Sequence, residues 1–190
     1  MSVVALVLAA GQSSRFGADK RRARLADGRS LLAHSVEHAQ AVFDDVRVVL
    51  REGEQAQDFG LPDDCRIVYS LEAGQGIGHS LAAGVAVLAD SGAQSVAILL
   101  ADMPWIAPTT LEKLADAATP STIVFPVYEG QRGHPVLFGR DFWPALTQLN
   151  GDEGARSVLQ AHLQRCVRVA VDDAGVLRDV DTPDSLRDHG

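Results

Sequence analysis

Apolar and polar positions fall into blocks along the chain, and the blocks switch between two periods. The first block is an unbroken apolar run, Val3 to Ala10, ending in Gly11. A short apolar run bounded by glycine predicts a buried strand. Ser30 to Ala41 instead places apolar residues at helical spacing, with Ser30 positioned to cap the helix. Val46–Leu50 and Arg66–Tyr69 read as strands, separated by Glu52–Asp64, a polar surface loop with room for a short helix. Ala73–Ser80 is a glycine-rich turn before an apolar helix over Leu81–Ala89. Ser95–Ala101 is the clearest buried strand and runs straight into Asp102-Met103-Pro104. Pro108–Ala118 follows as a helix with proline in its first turn. Thr122–Val127 is a strand, and Gly130–Gly139 is a loop entering an extended apolar segment. Phe142–Leu149 and Glu153–Leu163 are predicted helical, and Val167–Val171 is a late strand. Asp179–Pro183 leads into a short terminal helix. Strands alternating with helices predict a single doubly wound, Rossmann-like α/β domain over residues 1–190, with a mainly parallel central sheet.

A formal charge of −8 argues against nonspecific binding to nucleic acid or to an anionic membrane. The cluster Lys20-Arg21-Arg22-Arg24 is the local exception, either a solvated face or a basic pocket, with Lys20 the strongest candidate for a direct role. Because the Lys20–Ser30 stretch is polar and charged, it is expected to be mobile. The apolar start lacks a positive leader and a cleavage site, so it reads as a strand and not as a signal peptide. No run reaches membrane-spanning length. Cys65 and Cys166 lack metal-ligand spacing and read as reduced thiols, which points to the cytoplasm.

Candidate chemistry starts in the opening loop. Gly11 and Gly17 allow backbone N–H groups to approach an anion, and Arg15 and Lys20 add two cations. A loop at the carboxyl end of a buried strand is where a nucleotide phosphate chain sits. Ordinary strand-to-helix turns share these features, and the pattern matches neither G-x-x-x-x-G-K-S/T nor G-x-G-x-x-G. Asp102 ends a buried strand, so it either holds Mg²⁺ or caps the turn before Pro104. Asp179 and Asp181 fall on one face by period-two alternation, and either can be a second ligand. Alternatively, Asp181 or Thr182 caps the helix that begins at Pro183. The second glycine turn, with Gly76 at its centre, permits close approach to a flat base; Ser80 either touches that ligand or caps the next helix. His79 is expected on the surface without a role. His134, between Gly133 and Pro135, can donate to an anionic acceptor or act as a base. Asp152 and Arg156, four apart, can be an ordinary helical ion pair. Together these parts suit nucleotidyl transfer by positioning and charge neutralisation.

LAAGQSSRFGADK resembles the L-A-A/G-G-x-S-x-R-M/F-G-x-x-K signature of nucleotidyltransferases acting on molybdopterin. GQGIGHSL, LLADMP, RGHPVLFGR, GDEGAR and DDAGVLRDVDTPDSL resemble later blocks of the same family, in the same order. Within it the chain is most similar to the molybdenum cofactor cytidylyltransferases. The resemblance implies transfer of CMP from CTP to molybdopterin, with Mg²⁺ (or Mn²⁺) as cofactor. It also implies delivery of the product to an apo-molybdoenzyme of the xanthine dehydrogenase type. It places Leu8, Ala9, Ala10 and Gly11 at the base, Arg15 and Lys20 on the triphosphate, Gly76 and Ser80 near the nucleotide, and Asp102 and Asp181 on the metal. His134 and Pro135, with Asp152 and Arg156, would face the acceptor. Arg15, Lys20 and Asp102 would carry catalysis. Ala10 favours CTP, since guanylyltransferase relatives tend to carry glycine there. Asp19 is closer to those relatives, and Ile77 replaces a usual methionine. The alternatives are a GTP-dependent guanylyltransferase, a transferase for another phosphorylated acceptor, and a nucleotide-binding chaperone that delivers cofactor.

Overall fold

The computed structural model describes residues 2–11, 16, 18–182 and 184–186. Its frame is one eight-stranded sheet, ordered β3-β2-β1-β4-β7-β5-β6, with β8 also paired to β5. The strands are β1 (Val3–Leu8), β2 (Asp45–Arg51), β3 (Arg66–Ser70), β4 (Ser95–Leu100), β5 (Ile123–Tyr128), β6 (Gln131–Arg132), β7 (Val136–Gly139) and β8 (Cys166–Ala170). The helices are α1 (Leu31–Gln40), α2 (Ile77–Ala86), α3 (Pro108–Ala117), α4 (Trp143–Leu146) and α5 (Arg156–Ala161).

The period of two in β1 sorts its side chains onto two cores. Ala5, Val7 and Ala9 join Leu32 and Val36 of α1 and Leu111 and Leu114 of α3. Val4, Leu6, Leu8 and Ala10 join Leu81 and Val85 of α2, Trp143 and Leu146 of α4, and Val158 and Leu159 of α5. Because both faces are covered, the strand reads as continuously apolar. Each such leucine or valine fully withdrawn from water stabilises the fold by about 1.5–3 kcal/mol.

β3, β2, β1 and β4 run parallel, so β1 has α1 leaving on one face and α2 arriving on the other. The carboxyl ends of β1 and β4 are therefore a topological switch point, where such sheets bind ligands. β7 breaks the parallel pattern, lying antiparallel between β4 and β5, with Val136 opposite Ile98. That reversal brings the start of β7, and His134 just before it, to the same edge. β8 returns parallel to β5, and the chain beyond it crosses back to β4, where the Val180 N–H donates to the Asp102 carbonyl at 2.8 Å.

Local expectations hold where the caps are present. Ser30 accepts from the Ala33 N–H at 3.0 Å, and Pro108 starts α3. The second half deviates more. Helix α2 begins at Ile77, so Ser80 lies within it and is not its cap. Helix α5 begins at Arg156, so Asp152 lies outside it; among the described residues no ion pair joins those two. Helix α4 is only four residues long, after a single 3-10 turn. Within the polar 52–64 stretch, Phe59 and Leu61 are buried, which anchors the loop to the core.

Candidate active site

Two adjoining cavities open along the carboxyl edge of the sheet and share Leu8, Ile77 and Leu100 as a common wall. The smaller, about 210 Å³, is bordered by Leu8, Ala9, Ala10, Gly11, Lys20, Ser80 and Asp102 among others. The larger, about 310 Å³, has a mostly apolar wall and receives Arg132, His134, Asp152, Glu153 and Arg156. The sequence-predicted nucleotide residues thus gather at one cavity, and most of the acceptor residues gather at the other. Gly76 and Pro135 border neither. Arg15 lies outside the described residues.

The loop after β1 is held from behind. Arg21, only 4% exposed, donates from Nη1 to the Ala9 carbonyl at 2.6 Å. Arg51 donates from Nε to the Ala10 carbonyl at 2.9 Å and from Nη2 to the Gly11 carbonyl. In a planar trans peptide the carbonyl and the following N–H point in opposite directions. Tying the Ala9 and Ala10 oxygens to these arginines therefore turns the N–H groups of Ala10 and Gly11 to the other side. Arg21 is itself clamped by Glu54, at 2.9 and 2.6 Å, and by Asp19, at 2.8 and 2.7 Å. Burial alone would raise the Asp19 and Glu54 carboxyls, but hydrogen bonds and charge from Arg21 hold both below the ordinary carboxylate range. Arg21 is therefore no solvated residue. It fixes the backbone on which Lys20 stands.

Three carboxylates converge beside Lys20. Oxygens of Asp102, Asp179 and Asp181 lie within 4.8 Å of one another. Lys20 Nζ donates to Asp102 Oδ2 at 2.6 Å and to the Val180 carbonyl at 3.1 Å, and lies 3.5 Å from Asp181 Oδ1. Hard oxygen donors at this spacing fit a small divalent cation that is held by a few carboxylates and completed by phosphate oxygens. The two acids left as alternatives in the sequence both belong to the cluster. Asp173 helps set the returning segment in place: its Oδ2 accepts from the Ala107 N–H at 2.9 Å and the Thr110 hydroxyl at 2.7 Å.

Two glycines of the second glycine turn face loop 150–152, while Ala73, Ile77 and Ser80 border the smaller cavity. Gly76 has φ of +127°, and a Cβ there would strike the Gly151 carbonyl and come within 2.6 Å of the Asp152 carboxylate. A Cβ on Gly78 would come within 2.6 Å of the Asn150 carbonyl, and the Gly78 N–H donates to the Gly151 carbonyl at 2.8 Å. These glycines let the start of α2 press against loop 150–152. His79, expected on the surface, is half-buried, with Nδ1 3.2 Å from Glu72 Oε2.

His134 is held by its backbone, its N–H donating to the Val176 carbonyl at 2.9 Å. Burial pushes its imidazole below the ordinary histidine value; Arg132 adds to this, and Asp102 and Asp179 oppose it. Burial thus favours the uncharged ring. Arg132 opens the RGHPVLFGR block of the sequence but was given no role of its own there. Arg51 gave no signal at all, because its function depends on a carbonyl about forty positions away.

Residues 5–166 match the MobA-like NTP transferase domain. The chain belongs to the MobA-like NTP transferase family. It is 32% identical to "Purine catabolism protein PucB" of Bacillus subtilis over 192 residues, covering 96% of this chain and 93% of that one. It is 34% identical over 134 residues to a protein of Chloroflexus aggregans named "Probable molybdenum cofactor guanylyltransferase", covering 66% and 61% of the two chains. Among solved structures, Rv0371c of Mycobacterium tuberculosis in complex with manganese superposes with a TM-score of 0.81 at 27% identity, over 99% of this chain and 97% of that one. As a MobA-like NTP transferase the protein is an enzyme, a nucleotidyltransferase on a Rossmann-like sheet. Among the described residues no helix is long and apolar enough to cross a membrane.

Proposed function

We propose that this nucleotidyltransferase moves CMP from CTP to molybdopterin and releases pyrophosphate, in the cytoplasm. The observation that carries the proposal is the meeting of Lys20 with Asp102 and Asp181, whose oxygens cluster with that of Asp179, at the switch point between the loop after β1 and a cavity bearing two guanidinium groups. In this reading Leu8 to Gly11 and Ser80 receive the nucleotide, with Gly76 shaping the wall behind them. Lys20, with Arg15 on sequence grounds, takes the triphosphate. Asp102 and Asp181, joined by Asp179, would hold Mg²⁺ or Mn²⁺, which when bound neutralises charge on the phosphoryl oxygens. Manganese in the Rv0371c structure supports a divalent metal in this fold.

In the larger cavity, Arg132 and Arg156 suit an anionic acceptor group, and Asp152 suits hydrogen-bond donors on its ring. His134, held by its N–H on the Val176 carbonyl, offers one donor and one acceptor nitrogen when uncharged. An acceptor phosphate oxygen attacks the α-phosphorus. Its new P–O bond forms as the bond to the bridging oxygen breaks, and pyrophosphate leaves with that electron pair. The chain's groups act by alignment and charge stabilisation rather than by covalent catalysis.

Ala10 supports CTP: it is buried and places a methyl on the wall where guanylyltransferase relatives tend to carry glycine, which narrows the space for a purine. The name of the Chloroflexus relative supports GTP as the second reading. The name of PucB fits a purine-oxidising recipient of the xanthine dehydrogenase type. The test supplies molybdopterin and Mg²⁺ with each of CTP, GTP, ATP and UTP, and follows pyrophosphate and product mass. CTP-selective formation of the cytidylyl adduct is expected. GTP selectivity would keep the reaction and change the base, whereas no pyrophosphate with any nucleotide would sink the proposal.

A further inference from the structure

Lys20 borders the nucleotide cavity, yet its ammonium sits on the carboxylates. Its oxygen neighbours include Asp102 Oδ2, Asp181 Oδ1 and the Val180 carbonyl. Asp102 and Asp181 are side chains whose oxygens gather with that of Asp179 within 4.8 Å as a candidate cation site. We infer that the Lys20 ammonium is an exchangeable occupant of the carboxylate cluster, displaced by a divalent cation toward the triphosphate side of the smaller cavity. The inference rests on reading that cluster as the metal site and that cavity as the nucleotide site.

The chemistry forces a competition. A divalent ion binds a carboxylate oxygen at about 2.0–2.1 Å when it is magnesium-sized. Held on Asp102 Oδ2, it would place two positive charges beside an ammonium already 2.6 Å from that oxygen. Like charges at such a separation repel strongly, the more so where solvent is partly excluded; Lys20 and Asp102 are 18% and 23% exposed. One of the two cations must yield. Three crowded carboxylates in turn need a counter-charge, which Lys20 supplies.

Local structure allows the side chain to move while its backbone stays. Lys20 opens a single 3-10 turn, Lys20–Arg22, which Asp19 caps by accepting from the Arg21 N–H at 3.2 Å. Its neighbour Arg21 is buried and clamped by Asp19 and Glu54. Between these fixed points only the four-carbon stem of Lys20 can swing. Its other side is the cavity bordered by Ala9, Ala10, Gly11 and Arg21. A triphosphate there gives the displaced ammonium a new partner.

Lys20 thereby lowers the metal affinity of the nucleotide-free protein, and bound nucleotide relieves that competition. By linkage, metal strengthens nucleotide binding by the same factor. The enzyme then favours the metal–nucleotide complex over either component alone.

The test is a Mn²⁺ titration followed by electron paramagnetic resonance, without nucleotide, on the parent, Lys20→Met and Lys20→Gln, each checked for an intact melting transition. Both variants should bind Mn²⁺ about tenfold more tightly than the parent, within the usual range of coupling between sites. Adding Asp102→Asn to Lys20→Met should abolish the gain. A non-hydrolysable CTP or GTP analogue should tighten Mn²⁺ binding by a larger factor in the parent than in the variants. Variants that bind Mn²⁺ no more tightly than the parent would overturn the exchange, leaving the metal site standing if Asp102→Asn weakens binding in the parent. No Mn²⁺ binding by any form, even with the analogue, would overturn the metal-site reading and the exchange together.

Discussion

The two cavities are built in opposite ways. The smaller belongs to the parallel half of the sheet and is walled largely by backbone and small side chains, with Ala9 and Ala10 buried and their carbonyls tied down behind them. The larger belongs to the half reversed by β7, and its polar groups are side chains: Arg132 on β6, Arg156 opening α5, and His134, Asp152 and Glu153 between elements. A backbone wall is set by the fold and changes only when the fold is disturbed. A side-chain wall can change by single substitutions at little cost in stability. The first design suits a common donor, a nucleoside triphosphate, and the second suits an acceptor that differs between relatives.

The sharpest way to break this comparison is to remove the clamp behind the smaller cavity. Arg21→Met leaves Asp19 and Glu54 without their guanidinium and should cost about 3 kcal/mol of stability, as for other disrupted buried pairs. Denaturant melts would measure it. The sign of its pH dependence follows from the lowered carboxyls. Their contribution is complete above the unfolded carboxylate range, near pH 4, and is lost as pH falls through the folded values. The gap between parent and variant should thus be widest above about pH 5 and shrink on acidification. A gap constant with pH would show that Arg21 works by packing on Phe59, 4.4 Å below its guanidinium, rather than by charge.

The larger cavity should respond in the opposite sense. Arg132→Gln removes a charged donor from an exposed position and should raise the acceptor KM about tenfold. Nucleotide affinity and melting temperature should stay at parent values. Steady-state kinetics with each substrate varied in turn would read this out; a matching loss in nucleotide affinity would mean that the two walls are not independent. The smallest effect should come from Ala10→Gly, which removes one methyl from the smaller cavity. A shift of a few-fold in the CTP-to-GTP ratio of kcat/KM is expected, at the low end for one such group. An unchanged ratio would remove Ala10 from the choice of base.

How much of this was legible in the sequence follows the same division. The parallel half announced itself, because strands buried on both faces read as unbroken apolar runs and their glycine-ended loops carry the chemistry within a few residues. Lys20 and Asp102 were found that way. The reversed half did not, because the direction of β7 leaves no trace in a four-residue strand, and direction alone decides that His134 lies at the working edge. Helix starts were misplaced at Ile77 and Arg156, where neither Gly76 nor Ala155 supplies a side-chain cap. Arg51 was invisible, since it acts on backbone carbonyls far away in the chain.

The glycine contact between α2 and loop 150–152 has a bearing on how this enzyme can be altered. Gly76 and Gly78 leave no gap between the segment that walls the smaller cavity and the one that walls the larger. The two segments mesh like the teeth of adjacent gears, with one backbone riding directly on the other. Widening the smaller cavity would push the wall of the larger out of line, and a swap of either segment from a relative would arrive with the wrong counterpart. Lineages that change base should therefore exchange both segments together, and grafts meant to retrain this enzyme should move them as a pair.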